Sequence, residues 1–401
     1  DYRMRSEAVA AVAPMAADAP APGGRPLVRV EAEFTVGEYD IVILSADDSS
    51  ALETWLRTNQ YRIPDGAEPV LRPYVQLGLK FFVAKVDPKK VKFEKGMATL
   101  SPLRFHYDDD SFRLPVRLGL LNSSGTQDLI VNIIAKNQRY EAANYPNLTI
   151  PTNIELDESA LSSFGPFYVA LFDKTVESAK NSVVTEYSWT AGSCDPCPGP
   201  TLAPSDIATL GGDTLLSPKD TDLPPGMPTP SGLSPWEATI TRLHVRYTKD
   251  SLGEDLVFRA APPIQGGNGW ANGPNKHGAT VIPNGQNMFQ GRYIVRHRWQ
   301  GDITCENPVF DRWGGSPGGV EGAKDLAFVP REGVTLSSLI VEDVPTLGLK
   351  AGLIKPVVRN YNTLRIWMST FSSSKIAVML GLIVGIAGMW LAKRPRVSRS
   401  S

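Results

Sequence analysis

The first regular pattern in the chain is an alternation of apolar and polar positions. Val28, Val30, Ala32, Phe34 and Val36 take turns with Arg29, Glu31, Glu33 and Thr35, which is the period of a strand with one buried face. Gly37 and Glu38 permit a turn into a second strand, Tyr39 to Leu44. The spacing then becomes helical: Leu52, Trp55 and Leu56 share a face, and Ser50 with Glu53 forms a candidate capping box. A second short helix is predicted from Glu68 to Leu77. Strands are predicted at about Leu79 to Val86, Leu100 to Tyr107, Phe112 to Leu120 and Asp128 to Ala135. After Pro151 the pattern predicts a helix from Phe164 to Lys180 and a strand from Val183 to Trp189.

From Gly192 to Pro235 prolines recur, and the stretch reads as loop throughout and as the best internal boundary. Beyond it, Trp236 to Tyr247, Leu256 to Ala260 and Tyr293 to Trp299 read as strands, with a Gly/Asn loop from Gly266 to Gly285. Helices are too few for regular βαβ alternation. The expected fold class is α+β, with mostly antiparallel strands, a few short helices and one C-terminal transmembrane helix. The expected organisation is an Ala/Pro-rich arm (1–26), a first α+β part (27–191), the Pro-rich loop (192–235), a β-rich second part (236–371), a transmembrane helix (375–393) and a basic tail (394–401).

The transmembrane expectation rests on seventeen uncharged, mostly apolar residues from Ile376 to Ala392, flanked by Lys375 and Lys393. As a helix they reach about 26 Å, near the thickness of a hydrocarbon core. Arg394, Arg396 and Arg399 follow and no acidic residue does, so the positive-inside rule keeps the tail in the cytoplasm and exports the main domain. Gly381 and Gly385 form a small-xxx-small pair suited to packing against another helix. Export needs a signal, and the first thirty residues contain no apolar segment that would serve as one, so a processed or truncated form is expected.

Composition changes the picture in two ways. Setting aside the five cations from Lys375 onward, the 41 basic residues become 36 against 42 acidic ones, and a mildly acidic domain argues against nucleic acid as partner. Export also places Cys194, Cys197 and Cys305 in an oxidising compartment, where a bridge from the Cys194/Cys197 corner to Cys305 would restrict the unfolded chain most.

Few motifs carry chemistry. Cys194-Asp195-Pro196-Cys197 has redox-pair spacing, but the surrounding prolines and Asp195 favour a structural disulfide, and no second pair is placed to hold zinc. Gly314-Gly315-Ser316-Pro317-Gly318 has the outline of a nucleophile elbow, yet Pro317 lacks the N–H an oxyanion hole requires. Asp108, Asp109 and Asp110 read as a solvated turn more readily than as a calcium loop. No catalytic residue, metal site or cofactor is expected. On the strand containing His244, that histidine alternates with Arg242 and Arg246, and Arg296 lies on the strand of His297. Were the two strands neighbours, these residues would form a strip for an anionic ligand. The plainer reading is cross-strand salt bridges to residues such as Glu237, Glu254 and Asp255. Trp236, Trp270, Trp299 and Trp313 are either sugar-stacking platforms or core, and core is the commoner fate.

Several runs carry a resemblance: Tyr39 to Leu44 with the following Trp55 helix, Phe112 to Leu120, Asn144 to Asn153, Cys194 to Pro198, Thr241 to Ala261 and Asn287 to Trp299. In these the chain resembles a bacterial envelope family known as domain of unknown function 2330, common in myxobacteria-like lineages. The resemblance implies export and anchoring and supplies no catalytic or binding residues. Longer relatives resemble this chain with a further cysteine-bearing N-terminal portion, which would offer a partner for the odd cysteine.

The leading expectation is a non-catalytic, membrane-anchored periplasmic or surface domain that scaffolds or binds a partner, with the bilayer and other envelope proteins as its contacts. The alternatives are an exported enzyme acting on cell-wall or protein substrates near His244 and His297, and an anionic-glycan-binding module.

Overall fold

The computed structural model describes residues 26–94, 97–123, 125–195, 197, 200–216, 232–267, 281–295, 304 and 334–352. Within them the fold is α+β, with mostly antiparallel strands and few helices. The predicted transmembrane segment and tail lie outside the described residues. Among the described residues no helix is long and apolar enough to cross a membrane.

The opening alternation forms strand β1 (Val28–Val36), paired antiparallel with β2 (Tyr39–Ala46). Helices α1 (Ser49–Thr58) and α2 (Glu68–Gln76) follow, and β3 (Phe81–Val86) completes a three-stranded sheet in the order β1-β2-β3. Leu44, Leu52, Leu56, Leu71 and Tyr74 pack together as its core. The predicted capping box is replaced by Asp48, whose carboxylate accepts from the Ala51 N–H at 2.8 Å, while Glu53 pairs with Arg57 one turn later. The aspartate begins the helix two residues earlier than the serine would.

A short hairpin, β4 (Lys92–Glu94) and β5 (Met97–Thr99), precedes residues 101–107, which form no strand. The strand predicted from Leu100 to Tyr107 is thereby corrected; Pro102 removes a donor that a ladder would need. The strand predicted from Phe112 to Leu120 shrinks to β6 (Arg113–Leu114), because Pro115 ends it and a 3-10 turn, Arg117–Asn122, takes over. Asp109 accepts from the Ser111 N–H and bridges Arg113, so the acidic triplet behaves as a turn.

The principal sheet has β7 (Gln127–Lys136) at one end. The chain continues through β8 (Arg139–Ala142), β9 (Asn147–Thr149), β10 (Ile154–Leu156), helix α3 (Phe164–Val176) and β11 (Val183–Thr190). The stretch predicted as loop throughout contains helix α4 (Pro204–Thr209) and a 3-10 turn, Gly212–Leu215. It also interrupts one sheet, because β11 before it pairs directly with β12 (Ala238–Tyr247) after it. After β13 (Leu256–Ala261) come β14 (Ile264–Gly266), β15 (Ile282–Pro283), β16 (Met288–Gln290) and β17 (Tyr293–Val295). The sheet order is β15-β14-β16-β11-β12-β7, with β9 also paired to β11. Leu243 and Val245 of β12 point with Ile133 and Val183 into one core shared with Leu256 and Phe258.

The chain divides into two compact units. The first draws on Asp1–Thr152, Asp173–Asp195 and Thr201–Gly291; the second on Asn153–Phe172, Pro196–Pro200 and Arg292–Ser401. In the second unit β10 pairs parallel with β17, and Phe164, Phe167 and Tyr168 cluster around Tyr293.

Candidate functional site

Strand β12 lies between β11 and β7, and its even-numbered residues share one face. The period-two pattern thus places Arg242, His244 and Arg246 side by side, as the sequence indicates. β17, the strand that leads toward Arg296 and His297, pairs with β10, so the supposition that the two Arg-bearing strands are neighbours is corrected. Arg296, His297 and His277 lie outside the described residues.

Each member of the β12 row meets a carboxylate. The β7 register sets Asp128 opposite Arg246, and its Oδ1 accepts from Arg246 Nε at 2.6 Å and lies 3.2 Å from His244 Nε2. Glu186 is the residue that the β11–β12 register skips, between Thr185 and Tyr187. Such a bulge re-aims a side chain. Here it brings Glu186 Oε1 to 2.7 Å from His244 Nδ1 and Oε2 to 2.9 Å from Arg242 Nε. Arg246 also pairs with Asp173. The partners named from the sequence differ: Glu237 bridges Lys136, and Asp255 accepts from the Tyr74 hydroxyl and the Arg117 N–H.

The electrostatics follow from this arrangement. Burial disfavours the His244 imidazolium, but hydrogen bonds to Asp128 and Glu186 and the two negative charges raise its pKa above the ordinary value. Burial likewise opposes the charge on Asp128, yet hydrogen bonds from His244 and Arg246 hold its carboxyl well below the usual range. An ionised carboxylate only accepts, so the imidazolium, with a proton on each ring nitrogen, is the form of His244 that satisfies both contacts. Three cations against Asp128, Glu186 and Asp173 leave a row of balanced charge. Among the three cations only Arg242 keeps substantial exposure, with 45% of its side chain accessible against 10% for His244 and 14% for Arg246.

Further along the same face lies a groove of about 510 Å³. It is lined by Ile240 of β12 and by Ile134 and Asn132 of β7, together with Arg104, Phe105, His106, Leu202, Leu210 and Leu215. Arg104, one of the lining residues, pairs with Asp213 at 2.6 Å. Beside it Phe82, Phe105 and Tyr107 stack in series with centroids 5.5 and 6.4 Å apart, and Phe105 is 62% exposed. His244 lines neither this groove nor the smaller one around Arg57 and Tyr61. Sequence reasoning missed the groove; the signal was present in Phe105, Tyr107, Leu210 and Leu215, apolar residues in stretches that form no strand. Trp236 is 67% exposed, against the expectation of core.

Cys194 and Cys197 are both disulfide-bonded, and with three cysteines in the chain they can only be bonded to each other. The bridge to Cys305 is corrected accordingly: the two bonded thiols are only three positions apart in the chain. Among the described residues no group of three or more His, Cys, Asp or Glu is placed to hold a metal ion. Gly381 and Gly385 lie outside the described residues.

Among known proteins, the family described as an uncharacterized protein conserved in bacteria (DUF2330) matches residues 1–259. That span takes in β7, β11, β12 and the groove, and leaves out the run from Asn287 to Trp299. No curated protein and no solved structure matches the chain.

Proposed function

The chain belongs to the bacterial family DUF2330, and from that premise we propose that it is a non-catalytic, membrane-anchored exported domain that binds a partner protein within a larger envelope assembly. The observation that carries the proposal is the state of His244. A general base or nucleophile needs a nitrogen lone pair, and both nitrogens here are spent on carboxylates 2.7 and 3.2 Å away. The same pairing leaves the β12 cations without the excess charge an anionic glycan would seek. What the face offers is shape and apolar surface: a groove lined largely by aliphatic side chains, with Arg104 and His106 among its polar groups, beside a stacked aromatic run. Concave apolar surface with a few polar groups suits a partner's side chains. The apolar segment 376–392 with its basic tail supports anchoring, and the charge asymmetry supports an exported domain.

The test is extraction of the native full-length chain in mild detergent, followed by sizing and identification of whatever co-elutes. A defined partner polypeptide, lost when Phe105 and Leu210 are both replaced by Ser, is the expected result. A chain that elutes without any other polypeptide refutes the scaffold reading. Hydrolysis of cell-wall or protein substrates that disappears in His244→Gln without loss of folding would instead establish the enzyme alternative.

A further inference from the structure

Two sheet edges of this molecule are treated differently by its sequence. β1 ends the three-stranded sheet and pairs only with β2 among the described residues. Its edge carries Arg29, Glu31 and Glu33, and its register breaks between Val30 and Ala32. Charges and a bulge are the ordinary devices that stop a strand edge from recruiting another strand. β7 ends the principal sheet and, among the described residues, pairs only with β12. It runs Gln-Asp-Leu-Ile-Val-Asn-Ile-Ile-Ala-Lys with an unbroken register, no Pro and no Gly. Its charges sit only near the ends, at Asp128 and Lys136, and Leu129 to Ala135 between them are uncharged. A long, β-branched edge with an unbroken register is a template for strand addition.

We propose that β7 pairs antiparallel with β7 of a second copy of this chain, joining two principal sheets across a two-fold axis at Asn132. The choice of a second copy rests on self-complementarity, which an isologous contact demands. With Asn132 on the axis, Asp128 of each copy faces Lys136 of the other. On the same face Ile130 then meets Ile134, and on the other Val131 meets Ile133. Opposite charges and β-branched pairs are the cross-strand neighbours that stabilise antiparallel pairing. Asp128 and Lys136 keep 37% and 36% of their side chains exposed, so each reaches across while holding its intrachain partner. Pairing over this length adds roughly eight backbone hydrogen bonds. Ile130, 44% exposed at present, becomes covered.

The experiment uses the full chain in mild detergent, with Cys305→Ser to remove a competing thiol. Light scattering should give twice the chain mass at micromolar concentration. Under mild oxidation the Asn132→Cys variant should form a disulfide-linked dimer, because its new thiol faces its own copy across the axis. The Ile130→Cys variant should not, because the matching thiol lies about 13 Å along the strand. Ile130→Lys, which places a charge on the edge, should raise the dimer dissociation constant about tenfold or more. A monomer at these concentrations overturns the proposal. So does a dimer in which Asn132→Cys fails to link or Ile130→Cys links equally well, since it would assemble through another surface. Should Ile130→Lys fail to fold by circular dichroism, the two cysteine variants still decide.

Discussion

Replacement of His244 by Gln removes a buried imidazolium from between two carboxylates, and the cost can be worked from the contacts. Two charge-assisted hydrogen bonds are lost, at 2.7 Å to Glu186 and 3.2 Å to Asp128. Such bonds contribute about 1.5–3 kcal/mol each. The loss is partly offset, because Arg242 still faces Glu186 at 2.9 Å, Arg246 still faces Asp128 at 2.6 Å, and the glutamine amide replaces one donor. The net cost should be about 2–3 kcal/mol, a melting temperature lower by roughly 4–10 °C. The pH dependence is more diagnostic. The folded pKa of His244 is raised, so its contribution is fully present below the unfolded value of about 6.5 and is lost as pH rises through the folded pKa. The folded pKa of Asp128 is depressed, so its contribution is present above about pH 3.9 and lost as pH falls. Denaturant titrations of wild type and His244→Gln should therefore differ most near pH 5.5 and converge toward alkaline pH. A difference that stays flat or widens from pH 5.5 to 9 would refute the imidazolium assignment and, with it, the argument against catalysis.

Two further outcomes are expected. Gly267 adopts φ +72°, and a Cβ there would meet the Gln290 carbonyl and the Thr152 hydroxyl. Gly267→Ala should cost about 2–4 kcal/mol, read as a lower melting temperature with the oligomeric state unchanged. Peptide mapping under non-reducing conditions should recover one peptide containing the Cys194–Cys197 disulfide, with Cys305 linked to neither; since the loop is short, reducing it should cost only about 2 kcal/mol.

Local pattern carried much of the fold. β1, β2, β7, β11 and β12 appear within a residue or two of their predicted bounds, because each is a run of apolar and β-branched residues bounded by turn residues. Failures fall where backbone chemistry overrides pattern: Pro102 and Pro115 cut predicted strands short, and Asp48 out-competes Ser50 as a cap. The Pro-rich stretch hid a helix because α4 is only six residues long and starts on Pro204. At the candidate site, periodicity aligned Arg242, His244 and Arg246, but their partners are 56 to 118 residues away in sequence. A bulge at Glu186 and a register on β7 decide those pairs, and neither leaves a local trace. Salt bridges were already the plainer reading of the sequence, but which carboxylates make them was visible only in three dimensions.

The position of β12 also has a kinetic meaning. It joins β11, where Val183 pairs with Val245, to β7, where Gln127 pairs with Tyr247, so both of its neighbours are synthesised well before it. Contacts so distant along the chain slow folding, because long loops must close before pairing is rewarded. A nascent chain stopped between residues 190 and 238 holds β7 and β11 with no strand to join them, although β9 is already there to pair with β11. Closure of the principal sheet is thus deferred until the middle strand arrives, whereas β1, β2 and β3 are complete by Val86 and can pair without it.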